Sequence, residues 1–151
     1  MKFAGKLTPL RLIKLFNIMA CIFCKIINGE IPAQVVYEDD STMAFLDINP
    51  HSFGHTLVMP KKHFVNFEDT PGDVLAATMM TVKKVGRSLK DNLGVSGYNV
   101  YENNDPVAGQ IIPHLHFHVI PRHENDGLEF WPQLKYGVGE AEAILSKIKI
   151  N

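Results

Sequence analysis

The chain has 151 residues, 46% of them hydrophobic and 21% charged, with a formal net charge of −1. That length suits one domain able to bury most of its apolar surface, and the charge balance excludes a general grip on nucleic acid, which needs a basic excess. The sequence has no apolar run of about 18 residues, which excludes a membrane-spanning helix.

The first 19 residues, MKFAGKLTPLRLIKLFNIM, carry Lys2, Lys6, Arg11 and Lys14 and no acid. They resemble a short basic amphipathic leader such as a transit peptide. A secretory signal fits less well, because Pro9, Arg11 and Lys14 interrupt the apolar stretch. Met19-Ala20 could begin the domain itself, the favoured reading, which makes residues 1–19 an upstream extension. In both cases the segment is expected to be peripheral and the domain to occupy residues 20–151. The expected location is cytoplasmic, or organellar if the segment acts as a leader.

From Cys21 onward the pattern is regular. CIFCKIINGEIPAQ predicts a short helical turn stopped by Gly29 and Pro32. VVYEDD (35–40) and TMAFLDI (42–48) predict a hairpin, NPHSFG (49–54) a loop and HTLVMPK (55–61) a third strand. After Pro71-Gly72, Val74, Leu75, Thr78, Met79, Val82, Val85 and Leu89 recur at helical spacing, with Lys83, Lys84, Arg87, Lys90 and Asp91 on the other face. Gly94 and Gly97 end that helix. GYNVYEN (97–103) and PHLHFHVIPR (113–122) read as two more strands, and a last short helix covers about residues 139–149. Strands, one long helix, then strands: the order favours an α+β fold with a mostly antiparallel sheet.

The only two cysteines are Cys21 and Cys24. A disulfide framework is not expected, and the Cys-x-x-Cys spacing points to metal or redox chemistry in a reducing compartment. The other concentrated chemistry is HLHFHVI (114–120). On a strand, alternate side chains share a face, so His114, His116 and His118 line one side while Leu115, Phe117 and Val119 line the other. Each imidazole has two ring nitrogens to satisfy, and three in strict alternation argue against a purely structural row. Side chains at i, i+2 and i+4 of a flat strand point in parallel, so one ion held by all three is awkward. A phosphate-handling site fits better, one imidazole attacking phosphorus while its neighbours donate hydrogen bonds. Histidine suits both tasks because its pKa lies near neutrality.

GQIIPHLHFHVIPR (109–122) resembles the signature of the histidine triad (HIT) superfamily, alternating histidines with apolar residues. IFCKIINGEIPAQVVYEDDSTMAFLDINP (22–50) and GHTLVMPKKH (54–63) resemble the amino-terminal half of its Hint-type branch, which hydrolyses purine nucleoside phosphoramidates and related nucleotidyl conjugates. The resemblance spans about residues 21–122 and implies a five-stranded, mostly antiparallel sheet with one long and one or two short helices. It also implies a homodimer in which two sheets join into one of ten strands, with GYNVYEN and the long helix near the interface.

By position, the resemblance makes His116 the nucleophile, forming a covalent nucleotidyl-histidine that water hydrolyses. His118 would contact the phosphate and assist the leaving group. His55 would be the fourth histidine, and the carbonyl of His114 would orient the nucleophile. Asp47 would bind the ribose hydroxyls of an AMP-like purine nucleotide. Ile22, Phe23, Ile31, Phe45 and Ile48 would form the base pocket, and Asn103 and Gln110 would line the phosphate and leaving group. Bacterial-type members bind a structural zinc through two cysteines and two histidines, which correspond here to Cys21, Cys24, His63 and His114. No catalytic cofactor is required. His51 and His123 are expected in solvent-facing loops, and Lys61 and Lys62 as surface charges.

Two departures stand out. The Hint branch has a serine after the glutamine, where this chain has Ile111, which cannot donate a proton to a leaving amine. GLEFWPQLKYGVGEAEA has no match in the Hint tail, which bears on substrate choice. The diadenosine-polyphosphate branch shares Pro121-Arg122, so a dinucleoside polyphosphate hydrolase is an alternative. A nucleotide-binding regulatory protein of low turnover is another, as is a zinc-binding interaction protein. The intact set of His55, His114, His116 and His118 favours an enzyme, because binding alone needs no nucleophile.

Overall fold

The computed structural model describes Thr8 and residues 21–150. The leader or extension read over residues 1–19 lies, Thr8 apart, outside the described residues. The elements are α1 (Ile22–Ile27), β1 (Val35–Glu38), β2 (Thr42–Leu46), β3 (Thr56–Pro60), α2 (Gly72–Leu93), β4 (Gly97–Glu102), β5 (Phe117–Arg122) and α3 (Glu140–Ile148), with a 3-10 turn at Pro106–Ala108. The strands form one five-stranded sheet in the order β1-β2-β3-β5-β4, and every neighbouring pair is antiparallel. The α+β class is therefore observed.

Local chemistry explains the turns. The Asp39 carboxylate accepts the backbone N–H groups of Ser41 and Thr42 at 2.9 and 2.7 Å, closing the β1–β2 hairpin as a short acidic side chain does. Asp73 lies in the first turn of α2, favourable to the helix dipole. Gly94 ends α2 with φ of 66°, a left-handed cap that suits glycine.

Alternation splits the sheet between two apolar layers. Ala44, Val58, Leu115, Phe117 and Val119 pack against Val82, Val85 and Leu89 of α2. Met43, Phe45, Leu57 and Met59 face the other way, onto Phe23 and the two cysteines around α1. The helix approaches β4 closely at Gly86, where an added Cβ would overlap the Tyr98 ring. Thr81 of α2 and Thr42 of β2 satisfy one another across the layer, hydroxyl to hydroxyl at 2.8 Å.

Two readings shift. Met79 was placed on the buried face of the long helix but is exposed, and Thr81 and Gly86 are buried instead, because the stripe facing the sheet is rotated from the one the apolar residues mark. The triad segment is not one strand: β5 begins at Phe117, and residues 112–114 bend. The parallel row expected of a flat strand is thereby broken at His114. The last helix forms at Glu140–Ile148, with no residue buried. No helix among the described residues is long and apolar enough to cross a membrane.

Candidate functional site

The bend before β5 decides what each histidine can do. The N–H of Leu115 bonds the Phe64 carbonyl at 2.7 Å, which holds the segment beside the loop that carries His63. His114 Nε2 lies 2.8 Å from the Pro60 carbonyl. A carbonyl only accepts, so that nitrogen carries the proton and Nδ1 keeps a lone pair. His116 is set the other way, with Nδ1 2.7 Å from the His114 carbonyl. Its proton therefore sits on Nδ1, and Nε2 presents a free lone pair.

The third ring takes its state from a neighbour. The backbone N–H of His51 donates to His55 Nδ1 at 3.3 Å, so neutral His55 is protonated on Nε2, which lies 2.9 Å from His118 Nδ1. His118 is left with its proton on Nε2. Asp47 Oδ2 stands 3.6 Å from His55 Nδ1, too far for a hydrogen bond but near enough to favour positive charge there. Its other oxygen accepts the Asn49 N–H at 2.8 Å. Gly54, at φ of 97°, turns the chain into β3 and delivers His55 to this place.

Burial holds all these rings neutral. It is the main cause that lowers His118 to about 3, with His116, His55 and His51 adding like-charge repulsion. Burial likewise lowers His116, against the pull of the His114 carbonyl and Asp47. His55 is lowered by burial too, with Asp47 opposing. Neutral imidazole is the form that can attack phosphorus, whereas a ring that gives up a proton to a leaving group must first have gained one.

The Nδ1 lone pair of His114 points into a second cluster. Cys21, Cys24, His63 and His114 are all buried, and their donor atoms lie within 4.8 Å of one another. The sulfur-to-nitrogen separations are 3.6 Å for Cys21–His114, 3.3 Å for Cys24–His63 and 3.6 Å for Cys24–His114. A tetrahedral zinc with ordinary bond lengths needs about 3.5 Å between such ligands, so the four residues fit a metal ion. As a bare thiol Cys24 resists ionisation, burial and the neighbouring Cys21 pushing it up to about 12. The Nε2 bond to Pro60 is the outer contact that commonly orients a ligating imidazole.

The residues matched to a base pocket are only partly gathered. Phe23 meets Phe45 edge-on at 5.6 Å and His116 at 5.0 Å. Ile31 is half-buried, Ile22 is more exposed, and Ile48 stands 90% exposed in its loop. Gln110 is buried, its amide joining the Val65 carbonyl at 2.6 Å and the Asp105 N–H at 3.1 Å. Asn103 lines a cleft of about 500 Å³ together with His51, Tyr101, Arg122 and Trp131. None of the five base-pocket residues lines that cleft. Ile111 is 88% exposed. Lys61 pairs with Glu38 at 2.7 Å, and Lys62 sits over the Phe64 ring at 5.4 Å.

Sequence reasoning missed two neighbours of the row. His51 is exposed, as expected for its loop, yet its ring stacks on His55 at 5.3 Å; its position four residues before His55 in a turn-rich stretch was the available signal. Tyr101 stacks on His118 at 4.5 Å and 16°. Nothing in the sequence announces this, because it depends on the β4–β5 register that pairs Tyr101 with His118.

Comparison with known proteins agrees with this geometry. The family model described as HIT domain matches residues 28–125. An uncharacterized HIT-like protein of Methanocaldococcus jannaschii is 60% identical over 107 residues, covering 71% of this chain and 82% of its own. An adenosine 5′-monophosphoramidase of Schizosaccharomyces pombe is 41% identical over 137 residues, covering 87% of this chain and all of its own. A zinc-bound histidine triad family protein from Mycobacterium smegmatis superposes with a TM-score of 0.72 at 37% identity, covering 78% of this chain and 86% of that one.

Proposed function

The chain belongs to the HIT domain family, and on that premise we propose that it is a nucleotidyl hydrolase cleaving purine nucleoside phosphoramidates through a covalent intermediate on His116. The observation that carries this is the opposed tautomers of adjacent rings: a lone pair on His116 Nε2 and a proton on His118 Nε2. The relative named an adenosine 5′-monophosphoramidase supports hydrolysis of that class of bond.

The reaction begins with one proton taken up by the Asp47–His55–His118 chain as the anionic substrate binds. That proton rests on His55 Nδ1, where it faces Asp47 and takes the place of the bond accepted from the His51 N–H. His116 Nε2 attacks phosphorus, and the phosphorus–nitrogen bond breaks. The leaving nitrogen takes the Nε2 proton of His118, which is replenished at Nδ1 from His55 Nε2. The amine departs neutral, and the His116 imidazolium keeps its Nδ1–H on the His114 carbonyl. In the second half, water attacks phosphorus and gives its proton to His118 Nε2, the relay reverses, and His116 leaves with its electron pair. Splitting one displacement into two lowers each barrier, and fixed donors around the phosphate supply the rest. Asp47 retains an oxygen able to accept ribose hydroxyls, and Phe23 and Phe45 would face the base.

Cys21, Cys24, His63 and His114 would hold a structural zinc, which when bound cross-links the amino-terminal turn to the triad segment. The related zinc-bound structure supports this reading, as does the donor spacing. We also infer a homodimer; exposed Met79 and Met80 on α2 and Val100 on β4 are suited to burial there. Two free thiols in a metal-binding arrangement suit a reducing, cytoplasmic setting. Arg122 lends no support to the dinucleoside polyphosphate alternative, since its guanidinium is bonded to Asp126, Asn99 and the Leu128 carbonyl.

The test is hydrolysis of an adenosine 5′-phosphoramidate, with acid-quenched protein weighed for adenylylation. Wild type should turn over and carry the nucleotidyl group on the His116 peptide. Turnover with no mass added at His116 would overturn the covalent scheme.

A further inference from the structure

We infer that Tyr101 is a positioning residue for His118, and that its ring rather than its hydroxyl sets how readily the leaving group is protonated. The inference rests on the reading of His118 as the proton donor.

His118 is half-buried and makes one side-chain hydrogen bond, from His55 Nε2 to Nδ1. The ring hangs from Cβ, and one hydrogen bond at Nδ1 restrains rotation about the Cβ–Cγ bond only weakly. Swinging moves Nε2, and proton delivery depends on alignment within a few tenths of an ångström of a hydrogen-bonded approach. The Tyr101 ring removes this freedom. It lies nearly parallel to His118, 16° between planes and 4.5 Å between centroids, an offset-stacked geometry favourable to aromatic pairs. The other rings against His118 lie less nearly parallel to it, His116 tilted by 55° at 5.0 Å and His55 by 37° at 5.1 Å.

Tyr101 itself is held. The β4–β5 register pairs it directly with His118, and Trp131 meets it edge-on at 6.1 Å and 90°. The segment carrying Trp131 is fastened by Arg122, whose guanidinium bonds both Asp126 oxygens at 2.6 and 2.9 Å and the Leu128 carbonyl at 2.7 Å and lies over Phe130 at 4.9 Å. Tyr101 belongs to neither apolar core, so packing does not account for it. It lines the open cleft beside the triad.

A proton donor matters only when the leaving group needs a proton. Two substrates therefore separate the roles: an adenosine 5′-phosphoramidate of an aliphatic amine, which must be protonated, and the p-nitrophenyl ester of AMP, which need not be. Tyr101→Leu should lower kcat on the phosphoramidate by roughly tenfold to a hundredfold, with KM within about twofold and the ester little changed. Tyr101→Phe keeps the stack and should match wild type on both. Trp131→Leu, at a 76% exposed position where truncation does not threaten folding, should show the same pattern more weakly, about threefold. Equal losses on both substrates would mean a structural role and overturn the inference. A Tyr101→Phe loss as large as that of Tyr101→Leu would transfer the role to the phenol and overturn it too. His118→Ala serves as reference: a selective loss there without one in Tyr101→Leu sinks only this inference, whereas no selectivity in His118→Ala sinks the reading of His118 beneath it.

Discussion

Two clusters of donor atoms each take a histidine from residues 114–118, and they differ in what occupies the gap between donors. In the first, Cys21, Cys24, His63 and His114 are all buried, and sulfur and nitrogen stand 3.3–3.6 Å apart. In the second, Asp47, His55 and His118 also lie within 4.8 Å of one another, but the two imidazole nitrogens are 2.9 Å apart. The wider spacing is that of ligands around an ion; the narrower is that of a shared proton. Proximity of histidines alone does not distinguish a metal centre from a proton relay, whereas donor separation and tautomer do. In one short segment His114 turns Nδ1 to the first cluster while His116 keeps Nε2 free, because carbonyl partners hold opposite nitrogens of the two rings.

The comparison breaks most decisively at His116. His116→Ala should abolish measurable turnover while AMP binding, followed by calorimetry, stays within about tenfold; metal content should be unchanged. Loss of nucleotide binding together with turnover would show that the residue is misassigned. Next in size is the metal cluster. Cys24→Ser should strip bound zinc, read by elemental analysis, and lower the melting temperature by roughly 10 °C, and a chelator should do the same to wild type. A variant that melts like wild type would remove the cluster from any structural role.

A smaller effect distinguishes the clusters by pH. His118 is neutral in the fold down to about 3, while in the unfolded chain it takes a proton near 6.5. Above about 6.5 neither state binds it and its contribution is intact; as pH falls from there toward 3, the unfolded state gains protons that the fold refuses, and stability falls. Measured on Cys24→Ser, where metal-ligand protonation is largely removed, the melting temperature should drop between about pH 7 and pH 5. His118→Asn should make that slope shallower, the remainder coming from buried His114, His116 and His55; an unchanged slope would assign the acid sensitivity to those rings alone. Smallest is His51→Ala. Its exposed ring stacks on His55, so kcat should fall about threefold with zinc content untouched; a change in zinc content would show that the clusters are not separate.

Much of this was legible in the residues. The α+β order, the long helix and its Gly94 cap, the hairpin around Asp39 and the histidines gathered into two clusters are local or motif-borne. The rest depends on relations that composition and periodicity do not encode. The bend at residues 112–114 separates His114 from the row, and it is held by a backbone bond to Phe64. Met79 repeats at helical spacing yet faces outward, since α2 presents a stripe containing Thr78, Thr81 and Gly86 to the sheet. Tyr101 became visible only through strand register. The base pocket was the weakest reading, because an apolar residue beside a site and one in the core look alike in a sequence: Phe23 does both.

The Arg122 clasp bears on how this molecule can change over evolutionary time. One side chain at the last position of β5 carries four bonds to Asn99, Asp126 and Leu128, and beyond residue 128 every described residue is exposed. Sequence downstream is thus under little packing constraint, and insertions or replacements there leave the sheet undisturbed. Selection can redraw that border so long as the clasp keeps its carboxylate and Trp131 its place against Tyr101, while the chemistry behind it stays fixed.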